Sequence, residues 1–253
     1  MKNITTDLRI QAAAFRIPVP YIDDFNDQIS LYQGPEKNAY KLPWAIPKLP
    51  EDLSLPWVTH NFWCLTKVEE GKETIIMSVH GLAAEIITEA DGNKSSRAVT
   101  VGGTNDLLQI YWVPAPWATE ADKQLAGWTQ NAQTDNEQAG LRDYWTDARE
   151  YEIYTVYGNQ EKPMHVLKRW KRLEASRQYL NELKVPYPAY GIGIGLGQWQ
   201  CTNSNAAYTT LGHIMEVPIH DFKHWQPGLG QLLLSQEALT AWIEELKSHE
   251  DSL

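Results

Sequence analysis

The run ETIIMSVHGLAAEIITEA, Glu73 to Ala90, does most to limit what this chain can fold into. It is apolar and β-branched at both ends. Turn signals bracket it, Glu69-Glu70-Gly71-Lys72 before and Asp91-Gly92-Asn93 after. Branched side chains suit a pleated surface, and glycine beside polar residues lets a chain reverse. A long strand needs partners. NFWCLTKV (61–68) and SRAVTVGG (96–103) are predicted to pair with it, followed by LLQIYWVP (107–114) and REYEIYTVYG (149–158). The expected class is α+β, an antiparallel sheet flanked by helices.

Two segments bear on the sheet's surroundings. Residues 1–57 are rich in proline and aromatics (RIPVPYIDDF, YKLPWAIPKLPEDLSLPW) and read as an N-terminal arm poor in regular structure. Residues 58–253 then read as one domain. Within it, Thr119 with Asp122 marks a helix start, and NAQTDNEQAG (131–140) reads as a loop. Pro163 opens PMHVLKRWKRLEASRQYLNELKV, with Val166, Trp170, Leu173, Leu180 and Leu183 on one face, and Pro186 closes it. The basic run KRWKR (168–172) reads as that helix's solvated side. A last amphipathic helix begins near Ser235.

The residues 187–215, YPAYGIGIGLGQWQCTNSNAAYTTLGHIM, carry the chemistry. Alternating glycines let the backbone pass close to a neighbour. Asn203 and Ser204 suit the N-cap of a helix over the apolar run. Cys201 and Ser204 thus stand at or just before a helix N-terminus, where partial positive charge favours a thiolate or an oxyanion. The same positions also read as a small apolar filler and a plain cap. His80, followed by Gly81, is the candidate base, and Asn105 at the end of the returning strand is the candidate third residue. The His220-x-x-x-His224 spacing, with His213 upstream, invites a metal reading. Pro218 and Pro227 crowd it, and no His-Glu-x-x-His motif is present, so no metal and no cofactor are expected. The glycine ladder does not fit a phosphate-binding fingerprint.

Charge and cysteine content narrow the partners. A net charge of -10 argues against nucleic acid. Two cysteines, Cys64 and Cys201, form no disulfide framework and fit a reducing compartment. No run reaches the length of a membrane span, and MKNITTDLRI has no signal-peptide core. The expected location is cytoplasmic as synthesised, with export requiring a dedicated route.

From His80 to Gly230 the layout resembles the circularly permuted papain-like hydrolases, relatives of NlpC-type and CHAP amidases and of lecithin:retinol acyltransferase-like proteins. The likeness rests on the strand His80 with its Asp-Gly hairpin, on GLRDYWTDAREYEIYTVYGNQ, on the long helix, on Tyr187 to Met215, and on Pro227-Gly228. It implies a hydrolase or acyltransferase acting on an amide or ester bond. The nucleophile would be Cys201 or Ser204, with His80 as general base. Ser204 stands where the family places cysteine, so the site is cysteine-based, serine-based or inactive. A cell-wall peptide is the implied substrate and an exported bacterial effector the implied role. The alternative is an inactive binding domain on the same fold, using an aromatic groove (11 Trp, 12 Tyr) for a ligand or partner protein.

Overall fold

The computed structural model describes residues 6–17, 58–88, 94–99, 106–141, 150–187, 193–195, 198–200, 202–224 and 226–250. Six strands form the body of an antiparallel sheet: β1 (Asp7–Ile17), β2 (Val58–Glu69), β3 (Lys72–Thr88), β4 (Lys94–Val99), β5 (Asp106–Pro114) and β6 (Tyr151–Tyr157). The order is β6-β1-β2-β3-β5, and the short β7 (Pro186–Tyr187) extends it beside Asp106 and Leu107. β3 is long enough to hold two partners along one edge. β2 pairs with its first half and β4 with its last residues, while β5 takes the other edge. The β2–β3 hairpin turns at Glu70 and Gly71, both with positive φ. The α+β class and the antiparallel pairing read from the sequence are therefore present.

The N-terminal segment departs from its expected lack of regular structure. Asp7–Ile17 is an 11-residue strand paired on both sides, with β2 and β6. Ala12, Ala13 and Ala14 are almost wholly buried on it. Residues 18–57 lie outside the described residues.

Helices α1 (Glu120–Leu125) and α2 (Gln130–Gln138) follow β5, α3 (Pro163–Glu182) follows β6, and α4 (Ser204–Met215) and α5 (Gln236–Glu250) close the chain. Thr119 and Asp122 form a reciprocal capping box at α1. α2 replaces the loop expected over 131–140. Its polar surface hid it, but Thr129 caps it by accepting from the Ala132 amide at 3.2 Å, and Ala132 and Ala139 are its buried contacts. α3 starts at Pro163 and buries Val166, Trp170, Leu173 and Leu180. Leu183, expected on that face, lies past the helix end and is 38% exposed.

The two faces of the sheet differ, and strand alternation shows how. Ile10, Ala12 and Ala14 of β1, Trp63 and Leu65 of β2, Val79 and Ala83 of β3, and Leu108, Ile110 and Trp112 of β5 share one core with α3, α4 and α5. α4 lies over β2 and β3, and α3 over β1 and β5. Trp63 stacks on Tyr208 of α4, centroids 4.4 Å apart, and its indole N–H donates to the Tyr208 carbonyl at 2.8 Å. Gly81 is where α4 presses closest on β3: an added Cβ would fall inside 3.0 Å of Ala207 Cβ. The intervening residues point the other way. Ala13, Phe15, Phe62 and Cys64 cluster on the far face, and Leu82, Tyr111 and Val113 pack there with Ala139 and Leu141 at the end of α2.

Candidate functional site

α4 begins with the polar residues that the sequence singled out. Asn203 is in extended conformation, and its side-chain oxygen accepts from the amides of Asn205 and Ala206 at 3.0 and 3.2 Å. The side-chain Nδ2 groups of Asn203 and Asn205 both donate to the Pro227 carbonyl, at 2.8 and 3.1 Å. Thr209 and Thr210 accept from the amides of Gly230 and Leu233. The 226–233 segment is thus laced along α4.

Ser204 is the first residue of the helix and is 6% exposed. The phenol of Tyr187 lies beside its backbone N–H and hydroxyl, and burial pushes that phenol well above its ordinary pKa. Tyr187 is held on β7 opposite Asp106, and Thr202 fastens the approach by donating to the Pro186 carbonyl at 2.6 Å. The amides of Asn205 and Ala206 therefore end on the Asn203 side-chain oxygen, and that of Ser204 faces the Tyr187 phenol. A helix start whose N–H groups are spent in this way does not offer them to an oxyanion.

His80 lies on the other side of the sheet. Gly81 faces α4, so His80, one residue before it on the same strand, faces away. The ring is 1% exposed and stacks on Phe62 at 4.2 Å and on His60 at 5.3 Å. Its Nδ1 is 3.0 Å from His60 Nε2, and its Nε2 is 2.8 Å from Ser78 Oγ. The Ser78 hydroxyl donates to the Val113 carbonyl at 3.0 Å, so Ser78 must accept from His80 Nε2–H. His80 Nδ1 is then the acceptor of a proton carried by His60 Nε2. Both ring nitrogens are engaged within the far-face cluster, and the pairing of His80 with Ser204 expected from the sequence is not made.

Cys201 and Asn105 fall outside the described residues. Asp106, next to Asn105, pairs with Tyr187 near the α4 start, while His80 pairs with Tyr111 further along β5. The other cysteine, Cys64, is wholly buried, and burial pushes its thiol far up, which makes it a packing residue. The histidines of the metal reading separate. His213 is exposed on α4, His220 stacks on Tyr154 at 4.0 Å, and His224 bonds to Glu152 at 2.7 Å. Among the described residues no cluster of three or more His, Cys, Asp or Glu could hold a metal ion, and no helix is long and apolar enough to cross a membrane.

The basic run on α3 is not simply solvated. Arg172 is 7% exposed and bridges Glu250 of α5 and Glu216 at the end of α4, both at 2.7 Å. Lys168 adds a contact to Glu250, and Arg169 donates to the carbonyls of Met215 and Glu216. These ion pairs tie three helices together.

Asn61, a position the sequence reading passed over, meets the start of α4. β2 runs beyond its ladder with β3, which begins at Trp63. The Asn61 amide there donates to Asn205 Oδ1 at 3.1 Å, and its side chain donates to Gln226 Oε1 at 2.6 Å. A signal was available: in HNFW, alternation puts Asn61 on the same face as Trp63 and His60 on the opposite one. Comparison with protein-family models, with curated proteins and with solved structures finds no match to this chain.

Proposed function

We propose that this chain is a non-catalytic binding domain on the permuted papain-like plan, serving to hold a ligand or partner protein. The observation that carries this reading is the side of the sheet on which the imidazoles stand. His60 and His80 stack together on the face away from α4, while Ser204 sits at the α4 start beside the Tyr187 phenol. Asn61, an amide that cannot take up a proton near neutral pH, is the residue of β2 that bonds to Asn205 in the first turn of α4. The papain-like plan draws its support from the Asn203-Ser204-Asn205 helix start over an antiparallel sheet and from the Pro227 turn that closes on it. Exposed aromatic surface supports the binding role: Trp117 and Tyr154 are each 54% exposed, yet both are held in place. The Trp117 indole donates to the Ile75 carbonyl at 2.7 Å, and Tyr154 stacks on His220.

The test is nucleophile reactivity in the full chain. Alkylation of Cys201 by iodoacetamide should be slow at neutral pH and unchanged by His80→Ala, and Ser204 should not react with a fluorophosphonate. Fast alkylation that disappears in His80→Ala would restore the hydrolase reading.

A further inference from the structure

Two buried polar atoms on the helix-facing side of β2 have no hydrogen-bond partner among the described residues, the Thr59 hydroxyl and the Asn61 side-chain oxygen. Thr59 is 1% exposed and Asn61 0%. The pairing of β1 with β2 is continuous from Val58 to Val68, so Thr59 and Asn61 share a face. Trp63, on the same face, stacks on Tyr208 of α4, and the backbone bond from Asn61 to Asn205 brings this end of β2 beside the first turn of that helix.

The orientation of the Asn61 amide follows from its neighbours. The amide of Lys223 and the side chain of Gln226 hold Asp221 below the usual carboxylate range, so its ionised oxygen only accepts. Gln226 must therefore turn its NH2 to Asp221, at 2.6 Å, and its oxygen to Asn61. Asn61 must turn its NH2 to Gln226, which leaves its own oxygen pointing away from that chain of bonds.

Leaving a buried carbonyl oxygen and a buried hydroxyl dry is costly, about 1–3 kcal/mol each. The surroundings decide what can satisfy them. An anion is disfavoured, because the Asn61 carbonyl oxygen would repel it and the amides of Asn205 and Ala206 are already engaged on Asn203, which leaves the Thr59 hydroxyl as a single donor. A cation is disfavoured by the positive end of α4. A neutral donor remains. Residues two apart on a strand have backbones roughly 6.6 Å apart, and two hydrogen bonds of about 2.8 Å through one water oxygen span about 4.5 Å, so one water bridges the pair when the two side chains lean toward each other.

We propose that β2 and the start of α4 enclose a seat for one small neutral hydrogen-bond donor, formed by Thr59 and Asn61 and filled in the free protein by an internal water. The water donates to Asn61 Oδ1 and exchanges its second bond with the Thr59 hydroxyl. This seat does not depend on whether the domain is catalytic.

The test is NMR on the full chain, with Thr59→Val as a second measurement. The Asn61 side-chain amide and the Thr59 methyl should show cross-peaks at the water frequency with the sign of a long-lived, buried water. Thr59→Val keeps the shape and removes the hydroxyl, and should lower the folding constant about fivefold through one lost hydrogen bond. Absent water cross-peaks at both residues, or a Thr59→Val protein more stable than the parent, would overturn the proposal, since a dry hydroxyl is better replaced by a methyl.

Discussion

Gly81→Ala tests the face assignment on which the functional reading turns. The added methyl would fall inside 3.0 Å of Ala207 Cβ, against about 3.5–4.0 Å for carbon atoms in comfortable contact. The Leu108 and Ile110 methyls, at 3.5 and 3.7 Å, already fill the space beside it. Relief requires α4 to retreat from β3, and three bonds resist that: Asn61 to Asn205, the Trp63 indole to the Tyr208 carbonyl, and Asn203 to Pro227. Overpacking of this kind costs about 1–3 kcal/mol. Removing glycine from the unfolded chain returns about 0.4–1 kcal/mol. The net expectation is a loss of about 1.3 kcal/mol, or roughly 3–5 °C in Tm for a chain of this size. The partner substitution Ala207→Gly costs about 1 kcal/mol of helix propensity but removes the clashing methyl. The double variant should then be more stable than the sum of the two singles by about 1–2 kcal/mol. Urea unfolding followed by tryptophan fluorescence measures all four proteins. A neutral Gly81→Ala, or strict additivity with Ala207→Gly, would mean that position 81 does not face α4. His80 would then lie on the α4 side and the case against a His80–Ser204 pair would fall.

Further outcomes follow from the helix start and the ion cluster. Tyr187→Phe removes the phenol oxygen that the Ser204 amide faces in a buried place and should cost about 1–3 kcal/mol by urea unfolding. An unchanged stability would show that the Ser204 donors find another partner. Burial works to raise the carboxyl of Glu250, but hydrogen bonds from Arg172 and Lys168 outweigh it and hold the pKa below the ordinary value. Glu216 is lowered in the same way, burial opposing and Lys247 and Arg172 prevailing. A depressed carboxylate adds stability that is present above its unfolded pKa, near 4.5, and is lost as pH falls through the folded value. Tm should therefore drop as pH falls below about 4.5, and Arg172→Met should make that acid limb shallower. An equally steep limb in Arg172→Met would remove the cluster from the acid response.

Much of the fold could be read from residue pattern because local chemistry determines it. Glu70-Gly71 turns one hairpin, Thr119 with Asp122 caps α1, Pro163 opens α3, and Asn203 caps α4. Each depends on a bond or a dihedral within a few residues. The failures have a common cause. Ala12-Ala13-Ala14 has little strand character of its own, and β1 forms because β2 and β6 supply ladders on both sides. α2 is too polar to show a helical stripe, and it is held by its cap and by Ala139 against Tyr111 and Val113. Arg172 sits in a basic run that reads as solvated, and it is buried only because Glu216 and Glu250 arrive from elements far along the chain.

The candidate site shows the same division most clearly. By itself the amino-acid order determined that Ser204 opens a helix, that His80 lies within a strand, and that His80 and Gly81 point to opposite faces, since a strand alternates with period two. Which of those faces receives α4 was decided only by the tertiary structure. That choice rests on Gly81 leaving room for Ala207, and on Trp63 and Asn61 finding the carbonyl of Tyr208 and the side chain of Asn205. A helix seated on one side of a sheet takes its nucleophile position with it, and an imidazole on the other side is separated from it by the full thickness of the sheet.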